Sequence, residues 1–423
     1  MKRLRLHPPG WLVLALGLVA YVMAISQRST MGVASLAATE RFHTTAEQLG
    51  SLAVAQLIAY AGMQIPVGLL LDKIGPRKML ASGAVLIATG QIIVAYSTLI
   101  ETALAGRILV GVGDAFTFIS LIRLVNGWYS GAQASRLQQL LGNAGQVGQI
   151  VSAVPFAYVL HMSNWTAAFS LWSGLGLLIG LLTFVVITDE RTGATISHDL
   201  NVREMIRVLG VNIKRSSTKT AFWIHFCTMS PGTVLLLLWG VPFLVIGEGL
   251  DKPLVLASLG SMVLIGVVFG SAFGVLCARK PTLRRAIVSY SVVIMLIGWA
   301  QVLLTPGKAA AWQIMLMLFL TAVAAPTSMI AFDYSRQFTA KSEMGATNGF
   351  INIGGFLASF SMIFVVGVVL DAFYALRGKA QGLELYSLDG FKWGFIVIFV
   401  VSGFGLWRFR VNESRLDSSS LQE

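Results

Sequence analysis

Long apolar stretches separated by short polar connections dominate the pattern of this chain. Twelve stretches can be marked, and each is long enough to cross the ~30 Å hydrocarbon core of a bilayer as a helix. The runs are continuous and do not alternate every second residue, so they favour helices over the strands of a membrane barrel. The predicted spans, numbered one to twelve, cover residues 11–37, 47–71, 79–100, 103–126, 137–160, 166–188, 218–247, 254–278, 286–305, 309–333, 344–370 and 390–408. The pattern therefore predicts an all-α membrane protein.

The longest polar connection divides the twelve spans into two sets of six. It predicts an N-terminal bundle over 1–188, a cytoplasmic loop over 189–217, a C-terminal bundle over 218–410 and a cytoplasmic tail over 411–423. Within the loop, residues 202–209 have the pattern of a short amphipathic helix lying on the inner membrane surface.

A faint internal repeat supports this division. Gly68, near the end of span two, is matched by Gly274 near the end of span eight, at an offset of 206 residues. Asn143 in span five is matched by Asn352 in span eleven, at an offset of 209. Offsets near half the chain length indicate duplication, and therefore two pseudo-symmetric six-helix bundles.

Composition agrees with a membrane protein. Only 12% of the 423 residues are charged, whereas a soluble protein carries about 25%. Apolar residues make up 56%, and the mean hydropathy is +0.75. These values exclude a cytosolic enzyme, a secreted disulfide scaffold and a disordered protein. Cys227 and Cys277 both lie in apolar stretches, so we expect neither a disulfide framework nor a metal site.

The net charge of +12 carries information about orientation. With the N-terminus inside, 23 of the 31 Lys and Arg residues fall in or beside cytoplasmic segments, 7 lie at outer ends, and Arg28 lies within a span. The positive-inside rule then predicts two cytoplasmic termini, and nucleic acid is not an expected partner. No early small-residue cleavage site follows the basic N-terminus, so we expect an uncleaved first span in a bacterial-type inner membrane.

The connection between spans two and three resembles the signature loop of the major facilitator superfamily. It reads Gly68-Leu-Leu-Leu-Asp72-Lys73-Ile-Gly75-Pro76-Arg77-Lys78. We expect Gly68 to permit close helix approach, Asp72 to pair with a basic group or cap a helix, and Gly75-Pro76 to turn tightly. In the matching segment after span eight, Ala278 replaces the acid, so we expect the gate in the N-terminal half. The predicted gating-loop residues are Gly68, Asp72, Gly75, Arg77 and Lys78.

The resemblance covers nearly the whole chain and implies two six-helix bundles around a central cavity that opens alternately to each side. It implies a transporter and not an enzyme, with a small molecule and the lipid bilayer as partners. We expect a monomer that needs no cofactor besides a coupling ion.

Three of the charged side chains within predicted spans stand out. Arg107 and Asp114 stand seven residues apart on one face of span four, in a stretch similar to the family's arginine- and glycine-rich fourth-helix motif. Arg28 lies within span one. Such a group costs several kcal/mol unless it faces a cavity or a partner, so we expect these to be functional. Asp114 can instead form a structural salt bridge with Arg28 or Arg107.

The stretch from Arg28 to Gly50, with Tyr60, is similar to the organic-anion branches of the superfamily, the anion–cation symporters and the organophosphate–phosphate antiporters. The resemblance implies that Arg28 binds an anionic substrate; the alternative is that it only neutralises Asp114. Gln27 stands where many symporters have an acid, so proton coupling is assigned to Asp114 with Arg107. Span seven carries His225 and no second arginine, which favours a simple carboxylate over a phosphorylated sugar.

Further polar side chains recur at spacings of three or four residues and can line a cavity or join helices by hydrogen bonds. The predicted substrate-binding residues are Arg28, Tyr60, Gln64, Gln146, Gln149, Asn348 and Asn352.

The sequence thus predicts a proton-coupled symporter of a small organic anion. The first alternative is a proton-driven efflux antiporter for drugs or metabolites, weakened because span five lacks the glycine–proline pair of that group. Gly111-Val-Gly113-Asp114 also matches the GxGD pattern of intramembrane aspartyl proteases, but Asp333 is the sole candidate partner and no Pro-Ala-Leu accompanies it. A transporter-like sensor would need an output region, which the expected tail does not offer.

Overall fold

The chain is helical throughout the part that the structure, a computed structural model, describes. This part comprises residues 8–129, 131–189, 207, 210–339, 344–376 and 385–420, and it contains no strand. Each of the twelve predicted spans is helical over most of its described residues, which confirms the all-α prediction. Among the described residues, ten helices are long and apolar enough to cross a membrane by themselves; they correspond to all the predicted spans except two and five.

The α-helices have the following bounds in chain order: Gly10–Val33, Ser35–Phe42, Ala46–Tyr96, Ile100–Trp128, Gly131–Val151, Ala157–Met162, Trp165–Val186, Ser216–Val234, Gly240–Pro242, Lys252–Arg279, Arg284–Leu303, Ala311–Ala324, Ile330–Phe338, Met344–Leu376 and Leu388–Ser420. The last of these continues through most of the region expected as a tail. The expected surface helix over 202–209 falls almost wholly outside the described residues.

Short turns of a different helical pitch interrupt spans five, seven and ten. Wider π-helical turns occupy Ser152–Phe156, Leu235–Trp239 and Phe243–Gly247, and a tighter 3-10 turn occupies Ala325–Met329. The first and last of these contain a proline, which has no N–H to donate to the preceding turn.

Spans two and three are joined by a sharp kink. The helix Ala46–Tyr96 breaks its regular geometry at Gly75, where φ is 79° and ψ is 159°. Glycine is the residue that adopts such a conformation without a steric penalty. Pro76 follows, at the first turn of the new helix, where its missing N–H leaves no bond unmade. The structure thus has its turn where the sequence predicts one.

The chain divides into two compact units. The first comprises Met1–Thr30 and Ile58–Asp199, and the second comprises Met31–Leu57 and Leu200–Glu423. The unit boundaries therefore fall inside spans one and two as well as in the central loop. The four-segment division suggested by the sequence stays a prediction.

In the first unit, glycines bring spans three and four into backbone contact. A Cβ atom placed on Gly83 would lie 2.6 Å from the carbonyl oxygen of Gly113, and the reverse distance is also 2.6 Å. Gly90 and Gly106 form the same reciprocal arrangement, at 2.5 and 2.7 Å. The two pairs stand seven residues apart on each helix, about two turns, so they fix both the separation and the register of the two spans.

In the second unit, the start of span two is capped from span eleven. The Asp371 carboxylate accepts hydrogen bonds from the backbone N–H groups of Ala46 (2.8 Å) and Glu47 (2.7 Å). Gln48 donates its N–H to the Thr45 hydroxyl and returns a side-chain oxygen to the Thr45 N–H. The donors of this helix start are thereby satisfied, and a negative charge lies at its positive end.

Candidate functional site

Arg28 and Asp114 form a direct ion pair inside the first unit. The Arg28 Nε–H donates to Oδ2 of Asp114. The Asp114 side chain is fully buried, whereas the Arg28 side chain keeps 15% of its surface exposed. Either charge alone would be costly in this apolar interior, and each compensates the other. Of the roles that the sequence leaves open for Arg28, the structure shows the neutralising contact.

The glycine contacts of span four explain how its charges reach span one. Arg107 directly follows Gly106, and Asp114 directly follows Gly113. Consecutive residues are turned by about 100° around a helix. Because the glycines face span three, the two charged side chains leave the helix on a different face and contact span one instead.

Arg107 is fully buried and attached to the backbone of span one. Its Nη2 donates to the carbonyl oxygen of Arg28 at 2.9 Å, and its Nη1 donates to the Thr30 hydroxyl at 3.4 Å. These bonds hold the backbone of Arg28 in place beside Asp114. Arg107 therefore acts on the ion pair through the position of Arg28.

Tyr60 also contacts Arg28. The guanidinium carbon of Arg28 lies 4.4 Å from the centroid of the Tyr60 ring, a cation–π contact. Gln64, one turn further along span two, donates its side-chain N–H to the Tyr60 carbonyl oxygen at 3.4 Å. The structure therefore brings Tyr60 to Arg28 and directs Gln64 along its own helix, while the binding roles of these residues stay predictions.

The other predicted substrate-binding residues are divided between the two units. Gln146 and Gln149 lie in span five of the first unit, and Asn348 and Asn352 lie in span eleven of the second; all four are partly buried. Oε1 of Gln149 and Oδ1 of Asn348 are buried without a hydrogen-bond partner among the described residues. Their roles in binding stay predictions.

The gating-loop residues that the structure describes surround an acid that the sequence analysis missed. Asp189, at the end of span six, accepts the backbone N–H of Arg77 at 2.6 Å. Its Oδ2 would lie 2.8 Å from a Cβ placed on Gly75. The Arg77 side chain donates to the carbonyl oxygen of Phe184 and stacks on its ring, 4.6 Å from the centroid.

The structure describes fewer contacts for the remaining residues of the predicted gating loop. Lys78 is exposed, and the side chain of Asp72 and the surroundings of Gly68 lie outside the described residues. The signal that could have identified Asp189 is its position, since it is the first acid after the apolar run of span six.

The second half also has an acid beside its basic cluster, although Ala278 replaces the one expected from the repeat. Glu413 lies on the helix of span twelve, with its Oε2 3.4 Å from Nε of Arg285. Its Oε1 accepts a hydrogen bond from the Tyr334 hydroxyl at 2.7 Å. The compensating acid therefore comes from a different helix.

Gln27 also belongs to the surroundings of the ion pair. Gln91 of span three donates to the Gln27 carbonyl oxygen at 2.9 Å and to the Thr30 hydroxyl at 3.3 Å. Gln91 was not predicted; its signal is a lone amide in an otherwise apolar stretch of span three.

Comparison with known proteins concerns the family and the fold of the chain. The model of the Major Facilitator Superfamily matches residues 16–363. The probable L-galactonate transporter of Escherichia coli K12 is 24% identical over 266 residues, which cover 60% of this chain and 57% of that protein. The probable galactarate/D-glucarate transporter of the same strain is 26% identical over 192 residues, covering 42% and 41%. The probable sulfoacetate transporter of Cupriavidus necator is 23% identical over 158 residues, covering 37% of each chain.

These matches span about half or less of the relatives' length. A solved structure, a bacterial homologue of the human lysosomal transporter Spinster, is similar over 96% of this chain and 98% of its own, with a TM-score of 0.74 and 14% identity. At that identity the likeness concerns the fold alone. The family model, in contrast, covers most of the chain, including the ion pair and the kinked loop, and it shows that the chain belongs to the major facilitator superfamily.

Proposed function

We propose that this multi-pass membrane protein is a secondary active transporter, not an enzyme, and that it moves a small organic anion by alternating access with proton symport. The observation that carries the proposal is the buried pair of Arg28 and Asp114. The names of the relatives support the substrate class, since galactonate, glucarate and sulfoacetate are all organic acids.

Competition for Arg28 gives the proposed coupling. In the structure the Arg28 charge is balanced by the Asp114 carboxylate. When a proton neutralises Asp114, the guanidinium fork is released to bind a substrate carboxylate, which balances the charge in its turn. Both states leave the Arg28–Asp114 pair without net charge, so the exchange adds no uncompensated charge during the conformational change. One proton per bound carboxylate follows from this exchange.

Arg107 and Tyr60 keep Arg28 in position through the exchange. The hydrogen bonds of Arg107 to described residues go to the backbone carbonyl of Arg28 and the Thr30 hydroxyl, and both acceptors are uncharged whether or not Asp114 carries a proton. The Tyr60 ring lies over one face of the guanidinium.

The test is uptake by proteoliposomes that contain the purified full chain, with carboxylates, phosphates and cationic drugs screened under an imposed pH gradient. Uptake of anions driven by external acid supports symport, and extrusion of cations would select the efflux alternative. The Asp114→Asn variant should lose gradient-driven accumulation, because it can no longer exchange the proton, while substrate exchange across the membrane persists.

The control is Glu101→Gln, an exposed acid at the start of the same helix, which should behave as the wild type. Full gradient-driven accumulation by Asp114→Asn would overturn the proposed coupling.

Arg28→Lys should weaken the apparent affinity for the substrate by about tenfold or more, because lysine lacks the fork and loses a charge-assisted hydrogen bond. Unchanged affinity would make Arg28 a purely structural residue.

A further inference from the structure

An arginine near the end of span twelve lies against two tryptophan rings of the second unit. The guanidinium carbon of Arg408 is 5.5 Å from the ring centroid of Trp223 in span seven and 5.6 Å from that of Trp407. Both distances are within the range of a cation–π contact. Trp223 in turn packs edge-on against Phe404 of span twelve, with the centroids 5.3 Å apart. The aromatic contacts thus join Arg408 to the neighbouring helix.

The Arg408 guanidinium has no anionic partner among the described residues. Its Nε is buried and makes no hydrogen bond to them. The two terminal nitrogens make none either, and they are not buried, so the outer edge of the guanidinium is accessible. A guanidinium presents its N–H donors in a planar fork that matches the oxygens of a phosphate or a carboxylate. The described part of the chain therefore leaves this charge to be neutralised by a group from outside.

Arg408 stands where the apolar part of span twelve ends. Val400, Phe404 and Trp407 are exposed and recur every three or four residues, so they form one apolar stripe on the helix surface. The predicted span ends at Arg408, and a further exposed charge, Arg410, follows two residues later. Tryptophan is enriched where hydrocarbon meets water, with its ring at the level of the lipid headgroups. We therefore infer that the Arg408 guanidinium lies at headgroup depth, next to a surface that faces the acyl chains.

A second basic side chain belongs to the same end of the second unit. Spans seven and twelve approach closely, since a Cβ on Gly405 would lie 2.7 Å from the Cβ of Cys227. Three residues further along span twelve, Arg408 contacts Trp223, four residues further back along span seven, so the two helices run antiparallel. Lys219 is partly buried and precedes Trp223 by four residues, on the same face and about 6 Å nearer the helix start. Lys219 therefore adds positive charge on the aqueous side of the Trp223 ring.

We propose that Arg408 and Lys219, with the rings of Trp223 and Trp407, form a binding site for the phosphate group of an anionic phospholipid. The Arg408 fork holds the phosphate oxygens, and the acyl chains lie along the apolar stripe that ends at Trp407. Lys219 adds attraction for a headgroup that has no ammonium of its own. Basic pockets between membrane helices on the cytoplasmic side are a recurrent place for anionic headgroups.

The apolar stripe favours a lipid over a soluble phosphate as the occupant. A soluble phosphate can meet the guanidinium, but only a lipid also covers the exposed side chains of Phe404 and Trp407. With the predicted orientation, the lipid belongs to the cytoplasmic leaflet. The inference goes beyond the proposed transport function and does not depend on it.

Native mass spectrometry of the purified full chain in detergent tests the site by measuring the affinity for the first bound lipid. Dioleoyl phosphatidylglycerol is compared with dioleoyl phosphatidylcholine, which has the same acyl chains and phosphate but carries a compensating ammonium. Arg408→Gln removes the charge, Arg408→Lys keeps the charge without the fork, and Lys219→Gln removes the second charge. Arg410→Gln is the matched control, because Arg410 is exposed on the same helix and turned by about 200° from Arg408.

The wild type should bind phosphatidylglycerol about tenfold or more tightly than phosphatidylcholine. Arg408→Gln should lose about tenfold in affinity for phosphatidylglycerol, as expected for a charge-assisted hydrogen bond, and less for phosphatidylcholine. Arg408→Lys and Lys219→Gln should show smaller losses for phosphatidylglycerol, and Arg410→Gln should match the wild type. If Arg408→Gln does not fold, Arg408→Lys and Lys219→Gln provide the same comparison with Arg410→Gln.

Equal affinities of the wild type for the two lipids would overturn the inference. Equal losses in Arg410→Gln and in the variants of Arg408 and Lys219 would also overturn it, because the preference would then come from surface charge in general. Inorganic phosphate in excess serves as a soluble competitor. Binding of phosphatidylglycerol should persist in its presence, since phosphate brings no acyl chains; complete displacement would assign the site to a soluble anion instead.

Discussion

At the scale of single residues, the balance of buried charge dominates the candidate site. Arg28 and Asp114 compensate each other, and the proposed cycle replaces one anionic partner by another. A buried pair of this kind contributes little net stability as a whole, but removing one partner leaves the other charge uncompensated. The two charges should therefore be strongly coupled in a mutational analysis.

A double-mutant cycle tests this coupling. Arg28→Gln and Asp114→Asn should each lower the free energy of unfolding by about 3–5 kcal/mol, because each removes the direct partner of the remaining charge of the pair. The double variant should lose much less than the sum of the two. Thermal unfolding in detergent measures the changes, with Glu101→Gln as the control. Additive losses would show that the two side chains do not stabilise each other.

The sequence identified the charged residues of the site but not their contacts. Arg28, Arg107 and Asp114 were recognisable because an ionisable group inside an apolar span is costly and therefore conspicuous. Whether Asp114 pairs with Arg28 or Arg107 was left open, since both choices are compatible with the spacing. Asp189 and Glu413 were missed because acids at the ends of spans are ordinary residues of the membrane surface.

At the scale of helices and loops, the kink between spans two and three depends on one glycine and one acid. Gly75 adopts a positive φ of 79°, and the Asp189 carboxylate occupies the space beside its Cα. The same carboxylate accepts the N–H of Arg77, the second residue of the new helix. The kink is thus held by contacts with the end of span six.

Substitution by alanine should distinguish the need for glycine at the kink from the general effect of replacing a glycine in a helix. Gly75→Ala should lower stability by roughly 1–2 kcal/mol, because a Cβ is disfavoured at positive φ and collides with Asp189. Gly62→Ala, within the span-two helix and with no atom within 4 Å of its Cβ position, should be neutral or stabilising by up to about 1 kcal/mol. Unfolding temperatures of the two variants provide the comparison; equal values would contradict the role of the kink.

At the scale of the whole molecule, the distribution of basic residues predicts the orientation in the membrane. The clusters after spans two and eight, and between spans six and seven, should all face the cytoplasm. The connection between spans nine and ten, which contains Lys308, should face outward.

Thiol labelling in intact cells tests this orientation. Cys227 and Cys277 are both buried, so the native thiols give little background. Lys308 and Lys280 are both exposed, and each can be replaced by cysteine. Lys308→Cys should react with a membrane-impermeant maleimide in intact cells, whereas Lys280→Cys should react only after permeabilisation. The opposite pattern would reverse the predicted orientation.

The sequence by itself determined the class of the protein, its twelve helical spans and the small set of ionisable groups inside them. The bilayer makes this possible, because it demands about 20 apolar residues per helix and makes every buried charge stand out locally. The loop between spans two and three and the stretch around Arg28 were distinctive enough to indicate the family.

Only the tertiary structure decided which of these groups meet. It paired Arg28 with Asp114 and attached Arg107 to the backbone of span one. These contacts depend on which faces of distant helices come together. Reciprocal glycine contacts set those faces between spans three and four, and no pattern within a single span specifies which helix a face will meet.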